Sequence, residues 1–292
     1  MESLRTLLHG IIDYAGLFPP AGLEIGPAVA EYAEHYAGPH RWALGRFVLP
    51  TARLPDFASA ADPCLPRGGE PWRLSALVGT DLPADLGMIR HFNDAHRGRA
   101  LVDAVEFKAA SPRAVGDALD IVGTWLESYV ELPLDVELGP LMRAVGERGA
   151  RVKVRTGGVT ADAFPTPRDL IRFIRAAARA RVAFKATAGL HHPLCGGYPL
   201  TYAPDSGRAV MYGFLNLFLA AGFAGGLDDA AVIALLTEAS PAAFRFSDHG
   251  VEWRGRSLSN AELARSRRDV ATSFGSCSFR EPIADLQSLG LL

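Results

Sequence analysis

The chain has 292 residues, of which 49% are hydrophobic and 21% charged, enough to bury a large core in the ordinary globular class. Its formal net charge is −2 and no block of lysine or arginine stands out, so neither nucleic acid nor an anionic membrane is an expected partner. A small molecule or a protein fits better.

The opening MESLRTLLHGIIDYAGLFPP carries Glu2, Arg5, His9 and Asp13 and lacks a secretory pattern, so no signal peptide is read there. The most apolar stretch, Val210 to Leu227, contains Asn216 and several glycines and reads as a buried core helix rather than a membrane span. Cys64, Cys195 and Cys277 are odd in number and far apart, which suits a reducing cytoplasm.

Short runs of Val, Leu, Phe and Ala alternate with segments of helical period, the pattern of an α/β protein with a parallel sheet. Strands are expected near Gly10 to Tyr14, Leu44 to Leu49, Arg73 to Val78, Leu101 to Lys108, Leu134 to Leu138, Arg151 to Thr156 and Arg181 to Thr187. Helices are expected between them, including Pro112 to Tyr129, with Val115, Leu119, Val122 and Leu126 on one face, and Thr166 to Ala180. Ser111 and the PTPRDL segment supply N-terminal caps. The sum is a single domain of (β/α)8 TIM-barrel type, with an open doubly wound sheet as the rival and the eighth strand undefined. Residues 240–292, including a hairpin over Ala243 to Gly255, either supply the eighth strand or form a C-terminal cap or extension. The serine-rich Ser273 to Pro282 reads as a closing loop.

Arginine occurs 27 times and lysine only three times, at Lys108, Lys153 and Lys185. All three fall in expected strands, where chance would place them together less than about once in a hundred times. A chain that uses guanidinium almost everywhere keeps lysine where an amine must be able to lose its proton, as a nucleophile or base does.

Strand alternation groups the charges. VEFK puts Glu106 and Lys108 on one face, LDVEL pairs Asp135 with Glu137, RVKVRT groups Arg151, Lys153 and Arg155, and AFKAT sets Lys185 with Thr187. In a barrel these faces point inward, towards the C-terminal mouth where such folds keep their active sites. An internal ion-pair network without chemistry would have the same pattern. Asp13, ending the first strand, joins the same mouth. The glycines of TGGVT and ATAGL let backbone N–H groups approach an anion. Gly157, Gly158 and Gly189 thus stand with Arg155, Asp13 and Thr187 as candidates for holding a small anionic substrate, although plain β-to-α turns would look alike.

His191 and His192 are adjacent and point opposite ways in an extended segment. Either could serve as acid or base, or ligate a divalent metal with Glu106 or Glu137. Cys277 is read as a buried thiol rather than a nucleophile, since no partner histidine is identifiable.

VKVRTGGVT followed by a helix resembles the strand-lysine-glycine segment of deoxyribose-phosphate-type class I aldolases, and FKATAG resembles their Schiff-base strand. The resemblance spans roughly forty residues, with the two strands in reversed order. It implies a (β/α)8 barrel that makes or breaks a carbon–carbon bond through an imine on Lys185, with Lys153 as the cation beside it. DYAGLFPPA, FKATAGLHHP and SFGSCSF together resemble segments of a bacterial protein family without an assigned activity.

Three functions are therefore expected in turn. The first is a Schiff-base lyase acting on a small anionic carbonyl compound without a cofactor, with Lys185, Lys153, Lys108, Glu106, Glu137 and His191 as catalytic candidates. The second is a lyase, isomerase or hydrolase that depends on one divalent metal ion held by Glu106, Glu137, His191 or His192. The third is a non-catalytic binding protein. A homo-oligomer is compatible with all three.

Overall fold

The computed structural model describes every residue from Met1 to Leu292. Thirteen strands occur in chain order: β1 (Ile12–Tyr14), β2 (Leu44–Pro50), β3 (Trp72–Leu77), β4 (Ala100–Lys108), β5 (Glu127–Glu131), β6 (Arg151–Arg155), β7 (Phe184–Thr187), β8 (Gly196–Pro199), β9 (Arg208–Met211), β10 (Phe244–Phe246), β11 (Gly250–Trp253), β12 (Arg256–Ser259) and β13 (Ala271–Ser276). The first seven and β13 close a parallel barrel in the order β1-β13-β7-β6-β5-β4-β3-β2, with helices between the strands outside it. This is the (β/α)8 architecture expected from the alternation.

The helices form where the apolar stripe and caps predict them. Thr166 accepts the N–H of Asp169, whose carboxylate returns to the Thr166 N–H, and the helix Pro167–Ala180 buries Leu170, Ile171, Phe173 and Ile174. Ser111 caps Pro112–Val122 through the Ala114 N–H. The Phe214–Phe223 helix is buried on nearly every side, as read from its composition, and Asn216 is fully enclosed within it. Its side chain accepts from Cys195 N at 2.8 Å and donates to Leu235 O and Glu238 O, so its amide is satisfied without water. No helix is long and apolar enough to cross a membrane.

Two expectations need correction. The helix over Pro112 to Tyr129 stops at Val122, because Gly123 takes φ +71°, a conformation that residues with a Cβ rarely adopt. Leu126 continued the helical spacing by coincidence and is buried from a loop. The strand expected at Leu134 to Leu138 is consequently displaced to β5, and Leu138 begins a helix instead. The second correction concerns the closing loop. β10, β11 and β12 form a separate antiparallel sheet, and the tail does supply the eighth barrel strand, β13, which overlaps the start of the segment read as a closing loop. Ser273 and Gly275 made that segment look like a loop. Phe274, fully buried, is its outward core residue.

Inward positions carry two tiers of charge. A bulge in β4 opposes Leu74 to Val102 but Ser75 to Ala104, leaving Asp103 extra, so Asp103 and Glu106 both turn inward although three residues apart. The lower tier joins Arg46 to Asp103 at 2.7 Å and to Glu127, which also meets Arg151. Tyr129 separates it from the upper tier, with its hydroxyl on Glu127 and its ring 5.2 Å from the Lys185 ammonium.

Candidate active site

The upper tier is an alternating chain of buried charges contributed by five strands. Lys185 Nζ, from β7, donates to Asp13 Oδ2 of β1 at 2.6 Å and to Glu106 Oε1 of β4 at 2.7 Å. Lys153 Nζ, from β6, meets the other Glu106 oxygen at 2.9 Å and Glu131 Oε2 of β5 at 2.7 Å. Register explains the meeting, because Lys153 is paired with Lys185 across β6 and β7 and with Glu131 across β5 and β6. Neutral donors complete the shells: Ser75 Oγ on Glu106, and Ser273 Oγ with the Arg46 N–H on Asp13.

The five charges are not equally shared. Asp13 serves Lys185 as its only cation, whereas Glu131 is divided among Lys153, Arg155 at 3.5 Å and Lys108 at 3.8 Å. Burial works against the charge on Lys185, but Asp13 and Glu106 outweigh it and hold its pKa well above the usual lysine value. Burial likewise works against the charge on Glu106, and the two lysines overcome it and hold its carboxyl far below the usual range. Glu131 is depressed on the same balance, mainly through Lys153.

Above this chain lies a cavity of about 620 Å³ at the C-terminal ends of the barrel strands, a size suited to a small molecule. Lys153, Lys185, Glu106 and Glu131 form its charged wall, Lys108 and Arg155 its partly exposed rim, and Phe18, Val48 and Leu77 apolar surface. Thr187, Gly158 and His191 also line it. Ala188, a cavity residue, is held at φ +61° with its carbonyl accepting from Thr156 Oγ1 at 2.6 Å. Strained backbone of this kind persists only where its surroundings enforce it.

Gly157 and Gly189 face each other. A Cβ on Gly157 would lie 2.9 Å from Gly189 Cα, and one on Gly189 2.8 Å from Gly157 Cα, so these glycines let the loops after β6 and β7 touch. His191 meets Glu281 at 3.2 Å, while His192 meets Asp285 at 2.6 Å and stacks on Tyr198.

Glu137 must be removed from this constellation: it is exposed at the start of the Leu138–Gly146 helix and does not line the cavity. Glu131 occupies the place assigned to it. The metal ligand set drawn from Glu106, Glu137, His191 and His192 is not assembled either, since no three His, Cys, Asp or Glu side chains are arranged to hold a metal ion. Glu131, Ser75, Ser273 and Tyr129 were not singled out from the sequence; the alternation Glu127, Tyr129, Glu131 followed by Pro133 was the available signal. Compared with models of known families and with curated proteins, the chain matches none. What it shares with known proteins is the closed eight-stranded parallel α/β barrel of TIM type, a fold that commonly carries enzymes.

Proposed function

We propose that the protein is a lyase of the aldolase kind, which binds a small anionic carbonyl compound in the mouth cavity and forms an imine with it on Lys153. The observation that carries this reading is the unequal division of carboxylates between the two lysines. Both lysines border the cavity, but Lys185 has Asp13 and half of Glu106 and is 1% exposed, whereas Lys153 has half of Glu106 and a share of Glu131 and is 5% exposed. A nucleophilic amine must give up a proton before it attacks. Lys153 is the amine better placed to do so, with Glu106 or Glu131 as acceptor within 3 Å, and Lys185 as the fixed cation on the far side of Glu106.

This reverses the roles implied by the aldolase resemblance. Lys153 Nζ adds to the carbonyl carbon, the carbinolamine loses water, and the iminium draws in the electron pair released when a neighbouring carbon–carbon bond breaks. Glu131 and Glu106 are positioned to move the protons. Arg155 and Lys108, both on the rim, supply positive charge for the carboxylate or phosphate of the substrate.

Reduction with cyanoborohydride in the presence of small 2-keto acids and aldehydes tests the reading. An adduct on intact wild-type protein that is lost in Lys153→Arg and kept in Lys108→Arg supports it. An adduct unaffected by Lys153→Arg assigns the imine elsewhere. A folded protein that forms no adduct while turning over an identified carbonyl substrate removes imine chemistry.

A further inference from the structure

Cys277 follows the last residue of β13 and lines the same cavity as the two buried lysines, although its residue surface is only 4% exposed. The fold supplies the partner that the sequence alone did not identify. His191 Nδ1 lies 3.9 Å from Cys277 Sγ, the Tyr202 hydroxyl lies 3.5 Å from it, and Glu281 Oε2 stands 3.2 Å from both His191 Nδ1 and the Tyr202 oxygen. The four side chains come from the loops after β7 and β13, from the β8–β9 hairpin and from the helix Arg280–Ser288, so they meet only in the folded barrel.

We infer that Cys277 is a second nucleophile of this cavity, activated by His191 and Tyr202, and that it reacts covalently with small carboxylates bearing an electrophilic carbon. Three observations support this. The His191 imidazole at 3.9 Å and the Tyr202 hydroxyl at 3.5 Å bring two polar groups to the sulfur, the setting in which thiols react. Burial works against the charge on His191, but hydrogen bonds to Cys277 and Glu281 prevail and carry its pKa up to about 9, leaving an imidazolium beside the thiol at neutral pH. The cavity wall and rim contain Lys108, Lys153, Lys185 and Arg155 against Glu106, Glu131 and the Asp13 buried on Lys185, which leaves one positive charge in excess to attract anions into the cavity.

For an α-halo acid the chemistry is a displacement: the sulfur–carbon bond forms, the carbon–halogen bond breaks, and halide leaves. The thiol proton is released to solvent, and the His191 imidazolium keeps its own beside the attacking sulfur. Imine formation plays no part, so this inference stands or falls separately from the function proposed above.

Iodoacetate and its neutral isostere iodoacetamide are the probes, with peptide mass spectrometry reading each cysteine and the exposed Cys64 as internal reference. The iodoacetate-to-iodoacetamide rate ratio should be higher at Cys277 than at Cys64 by on the order of tenfold, because the cavity selects the anion. His191→Asn should slow carboxymethylation of Cys277 by on the order of tenfold and leave Cys64 unchanged. Tyr202→Phe, on a residue 56% exposed, should slow it by a smaller factor. Lys153→Arg should still be alkylated at Cys277. The inference is overturned by a wild-type Cys277 that stays unmodified while Cys64 is consumed, by equal ratios at the two thiols, or by a Cys277 rate that neither substitution lowers.

Discussion

Replacing Lys185 by methionine keeps an unbranched side chain as far as Cε and removes the ammonium, which isolates most of the electrostatic part of the buried chain. Glu106 would retain Lys153 at 2.9 Å and Ser75 at 2.7 Å. Asp13 would keep only Ser273 Oγ at 2.8 Å and the Arg46 N–H at 2.9 Å, with no cation, in a site where it is 1% exposed. One carboxylate is orphaned, not two, and breaking a buried pair in this way costs about 3–5 kcal/mol. At roughly 2–4 °C per kcal/mol for a chain of this size, the melting temperature should fall by roughly 6–20 °C. The double variant Asp13→Asn with Lys185→Met removes the orphaned charge as well, and should be more stable than Lys185→Met alone by about 2 kcal/mol. Urea denaturation of both variants beside wild type reads these differences. A single variant within about 1 kcal/mol of wild type, or a double variant no more stable than the single, would refute the pairing.

The pKa of His191, raised to about 9, gives a pH dependence. A value raised on folding stabilises the protein fully below the unfolded value of about 6.5, and that contribution is lost as pH rises through the folded value. The difference in unfolding free energy between wild type and His191→Asn should therefore shrink by on the order of 2–3 kcal/mol from about pH 6 to about pH 9.5, and a constant or growing difference would contradict it. Gly189→Ala should destabilise more than Gly149→Ala in urea. Both glycines have positive φ, but only Gly189 has another backbone against it; equal losses would mean the loops after β6 and β7 separate easily.

The barrel was legible because its strand and helix periods are clean. β4, β6 and β7 each alternate charged and apolar residues, and the rarity of lysine pointed to inward positions that propensity alone would not have marked. β5 was hidden by one residue: the helical spacing runs through Leu126, and only the conformation of Gly123 breaks it. Misplacing β5 substituted Glu137 for Glu131. β13 was hidden by its small residues, which suit the crowded inner face of a barrel as well as they suit a loop.

The pairing of Cys277 with His191 was beyond local pattern altogether. The two residues are 86 positions apart and meet because β13 pairs beside β7 as the next barrel strand. Asp13 and Lys185, separated by 172 positions, meet only because β1 closes the ring against β13. Sequence alternation showed that these charges face inward. Which carboxylate each lysine keeps, and hence which amine is the freer, depends on shear and register around the closed ring.

The most direct test of the central claim uses the scarcity of lysine itself. With a carbonyl acid that forms an adduct under cyanoborohydride, peptide mapping need distinguish only Lys108, Lys153, Lys185 and the N-terminal amine. Lys108, 77% exposed at its side chain, reports unselective labelling. The account predicts that Lys153 carries the adduct at a carbonyl concentration that leaves Lys108 unlabelled. Labelling that follows exposure, with Lys108 first and Lys153 unmodified, would contradict it, and an adduct on Lys185 would mean that the doubly paired lysine is the nucleophile after all.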